Sequence, residues 1–258
     1  MSLCVARALV RAGHKPLETL MSAMAKEFVE WSRSTENDRA PGLTCIAGCR
    51  NLSEGIAWRE AGIAGSKGCG SAMRTAPIGL LFCDDESRLI EVVRASSLPT
   101  HRHPTALAFA AATSLLTAWA VRQENPAEYP KRLAGVLRPM DRGEQVAEFV
   151  ETVPDLLRRR PEEVLCQGVL GEAWTGDEAL ASALYCFCRS PEDYRATVLT
   201  GANTVGDCDS IACIAGAISG AYNGINAIPE RWRNTVEASE LLRRIAWDLF
   251  VAYQRRET

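Results

Sequence analysis

Residues 105–121 read TALAFAAATSLLTAWAV, without one charged side chain. Such a stretch has two stable destinations, a bilayer or the inside of a packed domain. It is shorter than the roughly 20 residues a bilayer core requires, and it is rich in Ala, Ser and Thr rather than Leu and Ile. The segment therefore reads as a helix buried on most sides. Pro104 opens it at a first-turn position, where a missing N–H is no loss.

The rest of the chain supplies helices to surround it. Residues 1–12 read as a helix ending at Gly13, and Pro16 opens another that runs to about Trp31. Residues 34–51 are polar and turn-rich and read as a loop. A short helix is expected at 52–61, then a glycine-rich stretch at 62–70. Further helices are expected at 71–82, 86–97, 126–136, 143–158, 177–188, 207–223 and 235–254. No strand pattern, repeat or dividing linker interrupts them. Aromatic residues make up only 7% of the chain and alanine is plentiful, which favours closely packed helices over sheets. A length of 258 residues suits one large domain. The expectation is a single all-α domain covering 1–258.

Composition narrows the function classes. With 47% hydrophobic and 24% charged residues, the chain has the profile of a soluble globular protein. A net charge of -3 and a pI near 5.8 argue against the basic face of a nucleic-acid binder. Ten cysteines raise the question of a disulfide scaffold. Cys186, Cys188 and Cys213 fall in apolar, helix-like stretches, where a thiol acts as a small hydrophobe. The spacings Cys45-x3-Cys49 and Cys186-x-Cys188 lack the paired C-x2-C sets of a zinc site. The opening Met1-Ser2-Leu3-Cys4-Val5-Ala6-Arg7 is no secretory leader, so a reducing cytoplasm is expected.

Three segments have the chemistry of a site. Gly206-Asp207-Cys208-Asp209-Ser210 opens a helix in which Ala212, Gly216, Gly220 and Gly224 fall four apart, on one stripe. Each interior glycine costs roughly 1 kcal/mol relative to alanine. Close approach of a neighbouring helix would compensate and would hold the helix start rigidly. The aspartates suit a helix cap. They equally suit a hard cation, because crowded carboxylates repel until something neutralises them. The second segment, Gly65-Ser66-Lys67-Gly68-Cys69-Gly70-Ser71, precedes a small-residue helix start. It can present backbone N–H groups to a phosphate, or be only a turn. In the third, Thr100-His101-Arg102-His103-Pro104, a histidine either caps the buried helix or donates to an anionic ligand.

Together these segments resemble the ADP-ribosylglycohydrolase family, of the dinitrogenase-reductase-activating glycohydrolase type. The matching stretches come in the family's order: KGCGSAMRTAPIGL, LPTHRHPTALAFAAA, GEAWTGDEALASALYCF and GDCDSIACIAGAISGAYNGINAIPERW. The resemblance implies an orthogonal multi-helix bundle with a binuclear Mg²⁺ site. It also implies release of ADP-ribose from a modified side chain, by cleavage at the anomeric carbon. By the motif match, Asp207, Asp209 and Ser210 would be metal ligands. Gly68, Cys69, Gly70 and Ser71 would line the diphosphate and ribose, with His101 near the ADP-ribose. The implied partner is an ADP-ribosylated protein or a small ADP-ribose conjugate, with no nucleic-acid readout and no membrane.

One family motif has no counterpart. The Thr-Asp-Asp that supplies the other half of the metal site and the usual acid/base carboxylate is absent, and Met1-Ser2-Leu3 matches the helix just after it. Asp84-Asp85 has the wrong context to replace it. The chain is thus expected to hold at most a partial Mg²⁺ site and to have little hydrolase activity as it stands. Either its start lies further upstream, which the intact remainder favours, or it is a catalytically impaired member that binds ADP-ribose or a protein partner, or serves structurally.

Overall fold

The computed structural model describes residues 1–35 and 37–255. The uncharged segment forms α6 (Pro104–Val121), buried along nearly all its length. His103 begins it: the ring Nδ1 accepts the Thr105 N–H at 3.2 Å, and Pro104 follows in the first turn. Thr113 and Thr117 sit in this apolar setting because their hydroxyls donate to the carbonyls of Phe109 and Thr113, one turn back. The helix passes the length and hydropathy test for a bilayer span, yet its faces are covered by protein.

Around α6 pack α4 (Ala76–Leu81), α5 (Glu86–Ser97), α7 (Tyr129–Leu137), α8 (Gly143–Leu156), α10 (Gly176–Arg189) and α12 (Cys208–Asn223). A second group, α1 (Ser2–Ala12), α2 (Leu17–Ser32), α3 (Leu43–Ser53) and α14 (Ser239–Gln254), joins the first through α4 and α5. Short helices α9 (Pro161–Leu165), α11 (Tyr194–Ala202) and α13 (Glu230–Thr235) complete the all-α bundle. Among the described residues the only β-type pairing is an isolated bridge between Ile63 and His101. All ten cysteines are free thiols.

Two local expectations are corrected. The loop expected at 34–51 contains α3, which covers 43–53, while 54–61 form turns instead of a helix. The helix forms because burial repays its poor composition: Cys45 and Cys49 are buried, and Gly48 lies directly under the next segment, where an added Cβ would stand 2.3 Å from the Pro99 carbonyl. The helix expected over 71–82 is broken. A 3-10 turn at Cys69–Ser71 is followed by a fresh start at Ala76, because Pro77 is tolerated in a first turn and not in a helix interior.

The glycine stripe of α12 does receive a neighbour. Helix α11 lies against it: a Cβ at Gly216 would stand 3.3 Å from Val198 Cγ2, and one at Gly220 3.6 Å from Tyr194 Cε2. The tighter approach comes from the other side, where a Cβ at Gly201 would lie 3.2 Å from Ala212 Cα. Gly224 is not part of the packing. It ends the helix with φ +73°, with open space around it.

Candidate functional site

Asp207 stands at the N-cap of α12, but its side chain makes no capping hydrogen bond. It is engaged elsewhere: Cys69 Sγ donates to Asp207 Oδ2 at 3.0 Å. Cys69 Sγ also lies 3.1 Å from Ser210 Oγ, whose hydroxyl donates to Met73 Sδ at 3.0 Å. One buried thiol therefore ties the glycine turn of 68–71 to the Gly-Asp-Cys-Asp-Ser segment, 138 residues away in sequence. Burial pushes that thiol up to about 12, so it stays protonated and serves as a donor.

The carboxylate pair behaves as a crowded pair should. Asp209 is held above the usual range, first by the hydrogen bond it shares with Asp207 and then by burial. Partial burial acts to raise Asp207 too, but hydrogen bonds from Asp209, Cys69 and Ser210 outweigh it and hold Asp207 below the usual range. The opposite shifts belong to the pair and come from the contact between the two carboxyl groups. Two carboxylates and a hydroxyl are hard oxygen donors, and Mg²⁺ is commonly held by one or two carboxylates, with water and substrate oxygens completing the shell. The donor set fits one such ion. Among the described residues no group of three His, Cys, Asp or Glu side chains gathers into a closed cage.

Beside Asp207, the 3-10 turn Cys69–Ser71 starts after Gly68, whose N–H donates to Ser66 Oγ at 3.4 Å, and the Gly70 N–H meets no backbone acceptor among the described residues. Ser71 Oγ is buried without a partner. His101 lies behind this turn at 1% exposure: its Cε1 is 3.2 Å from where a Gly70 Cβ would stand, and its Nε2 is 3.5 Å from the Gly68 Cβ position. Its Nδ1 is 2.8 Å from Thr100 Oγ1, and Arg74 Nη2 donates to that same hydroxyl at 2.7 Å. The Thr100 hydroxyl also reaches the Ser97 carbonyl at 3.4 Å, so the direction of its bond with Nδ1 follows the ring tautomer. Burial, and then the Arg74 charge, lower His101 to about 3, so the ring is neutral. The other histidine of the segment, His103, is the helix cap.

Several participants are not singled out as site residues by the sequence, although Arg74, Asp177 and Lys67 lie in the stretches that carry the resemblance. Arg74 is fully buried with no carboxylate partner among the described residues. It donates to the Ser96 carbonyl at 2.8 Å, stacks over Phe28 and anchors Thr100. Asp177, 2% exposed, accepts from Gln145 Nε2 at 2.7 Å, and its Oδ1 has no partner. Gln145 in turn accepts from Lys67 Nζ at 3.1 Å, at the edge of the glycine turn. The alternation of polar residues along α8 and α10 could have flagged Gln145 and Asp177 only with their pairing already known. Asp84 and Asp85 are accounted for by packing: Asp85 caps α5 through the Arg88 N–H, and Asp84 accepts from the Tyr253 hydroxyl at 2.6 Å.

Comparison with known proteins adds to this geometry. The sequence model of the family described as ADP-ribosylglycohydrolase matches residues 1–258. An uncharacterized protein of Archaeoglobus fulgidus is 30% identical over 232 residues, covering 90% of this chain and 73% of its own. The Pseudomonas putida ADP-ribosylarginine hydrolase Tri1 is 28% identical, covering 97% of this chain and 64% of its own. Human ADP-ribosylhydrolase ARH3 is 27% identical over 219 residues, 74% of this chain and 60% of its own. The chain thus spans less than two thirds of these two named relatives. A solved structure titled as an ADP-ribosylglycohydrolase-related protein complex superposes with a TM-score of 0.77 at 23% identity, over 98% of this chain and 79% of that one, which establishes the likeness of fold.

Proposed function

The chain belongs to the ADP-ribosylglycohydrolase family, and on that premise we propose that it hydrolyses the glycosidic bond between ADP-ribose and a modified side chain. The observation that carries this reading is the thiol contact from Cys69 to Asp207, which sets a carboxylate pair beside the glycine turn. The turn's N–H groups suit a diphosphate, and the carboxylates suit the cation that would approach the ribose. Asp207, Asp209 and Ser210 are the residues that would hold Mg²⁺, which when bound supplies charge neutralisation and a fixed position for sugar hydroxyls and water. As a neutral ring pressed against Gly68 and Gly70, His101 holds the shape of the turn and carries no charge to the ligand. The substrate is an ADP-ribosylated protein or a small ADP-ribose conjugate, and a cytoplasmic setting suits the free thiols.

Titration calorimetry with ADP-ribose, with and without MgCl₂, tests the reading. The wild-type chain is expected to bind ADP-ribose more tightly with Mg²⁺ present. Replacing both Asp207 and Asp209 by Ala is expected to remove the Mg²⁺ dependence. Unchanged Mg²⁺-dependent binding in the double variant would refute the metal assignment and return the aspartates to the role of helix termini. Release of ADP-ribose from an ADP-ribosylated substrate, followed by chromatography, separates turnover from binding alone.

A further inference from the structure

Beyond the C-terminal end of α12 lies a second cavity, of about 440 Å³, lined by residues of α11, α13, α14 and the turn at Ile225–Ala227. That volume is within the range of small-molecule sites. The 16 residues of α12 separate it from Asp207 by roughly 24 Å, at 1.5 Å per residue. Val236 is extended and Ala238 is left-handed at φ +58°, so the chain turns sharply between α13 and α14. The Ser239 hydroxyl donates to the Arg233 carbonyl at 2.7 Å and pins the start of α14 to α13. From α11, Tyr194 meets Trp232 edge to face, with ring centroids 6.3 Å apart.

The wall combines apolar surface with charge of one sign. Ile225, Val236 and Leu242 line the cavity and are exposed at 56%, 47% and 38%, which favours an apolar occupant. Arg233 and Arg243 also line it, and no acidic side chain does among the described residues. Arg233 is half-buried, its Nε is out of solvent without a partner, and its guanidinium makes no hydrogen bond or ion pair among the described residues. Arg243 donates to Asn234 Oδ1 at 3.3 Å, and Glu237 is taken by Arg39 at 3.0 Å. A half-buried guanidinium without a counter-charge is costly, and a carboxylate satisfies it with charge-assisted hydrogen bonds.

We propose that this cavity is a binding site for a small amphipathic carboxylate, an aliphatic acid of medium chain length. Its chain lies against Trp232 and Leu242, and its carboxylate is taken by Arg233. The inference stands apart from the hydrolase reading above, because it uses none of the residues of that site.

Calorimetry on the full chain with sodium octanoate, 1-octanol and acetate tests it. The wild type is expected to bind octanoate with a Kd below about 1 mM, roughly tenfold or more tighter than either the uncharged alcohol or the short acid. Arg233→Gln should weaken octanoate roughly tenfold and leave 1-octanol within about twofold. Arg243→Gln, at an exposed position, should weaken octanoate in the same direction and keeps the test open if Arg233→Gln does not fold. Ala246→Trp, which fills the cavity from α14, should abolish binding of both compounds, with circular dichroism checking the fold of each variant. Octanoate binding should be unchanged when Asp207 and Asp209 are both replaced by Ala. Equal affinity for octanoate and 1-octanol, or octanoate binding that survives Ala246→Trp or is lost with the two aspartates, overturns the site. Absence of binding in the wild type overturns it as well; a dimer seen by light scattering and broken by Ala246→Trp would then assign the cavity to a second copy of the chain.

Discussion

Acidification should unfold this protein through His101 in particular. The ring is 1% exposed and pressed behind the glycine turn, with the Arg74 guanidinium bonded to the same threonine hydroxyl. Burial, then Arg74, bring it from 6.5 to about 3. An unfolded chain takes up a proton at this histidine as pH falls through 6.5, whereas the folded chain does so only near 3. Stability is therefore flat above 6.5, falls with each unit of pH below it, and stops falling from this source near 3. At pH 5 the unfolded state is favoured by roughly 2 kcal/mol relative to pH 7.5, since each pH unit in that window is worth about 1.4 kcal/mol. Other titrating groups also shift stability over this range, so the measurement is a difference. Urea unfolding of the wild type and of His101→Gln, each at pH 7.5 and pH 5, provides it. Glutamine can keep the bond to Thr100 and cannot titrate. The wild type should lose about 2 kcal/mol more than the variant between the two pH values. Equal losses would show that His101 protonates without penalty, and that it does not sit as a neutral prop behind the turn.

Three further outcomes follow from the same contacts. Gly206→Ala meets a left-handed backbone at φ +73° and the Glu172 carbonyl together, and should cost at least about 2 kcal/mol in thermal unfolding; a wild-type Tm would refute this. Cys69, pushed up to about 12 by burial, should resist iodoacetamide at pH 8 in the native protein while exposed Cys166 reacts. Mass spectrometry distinguishes them, and rapid labelling of Cys69 would contradict its role as a neutral donor. Glu86 accepts from Trp119 Nε1 at 2.8 Å and from Arg122 and Arg132 at 2.6 Å each, so Glu86→Ala should lower stability by roughly 1–3 kcal/mol in urea; a change below about 0.5 kcal/mol would mean that the network is solvated.

What the sequence reveals, and what it conceals, divides along a physical line. Helix α6 is legible because charge is excluded from every face of a buried helix, and that exclusion is written in its own residues. The break at Pro77 and the cap at His103 are local too, and the second was among the alternatives read directly from the chain. Helix α3 is not legible. Its stability comes from burying Cys45 and Cys49 and from seating Gly48 against the Pro99–Thr100 backbone, which lies far along the chain, and its own composition argues for a loop.

The site divides in the same way. Asp207, Asp209 and the glycine turn are recognisable as segments, since acidic pairs and glycine runs have local meaning. Their union is not, because it depends on the Cys69 thiol, a residue the motif match sets beside the ligand and that here donates to a carboxylate. Burial of this thiol keeps it protonated, and its proton serves the Asp207 carboxylate at the helix start, whose oxygens face the turn where the proposed ligand would lie. The contact that engages Asp207 comes from a turn 138 residues earlier in the chain, and no local reading of the helix start reveals it.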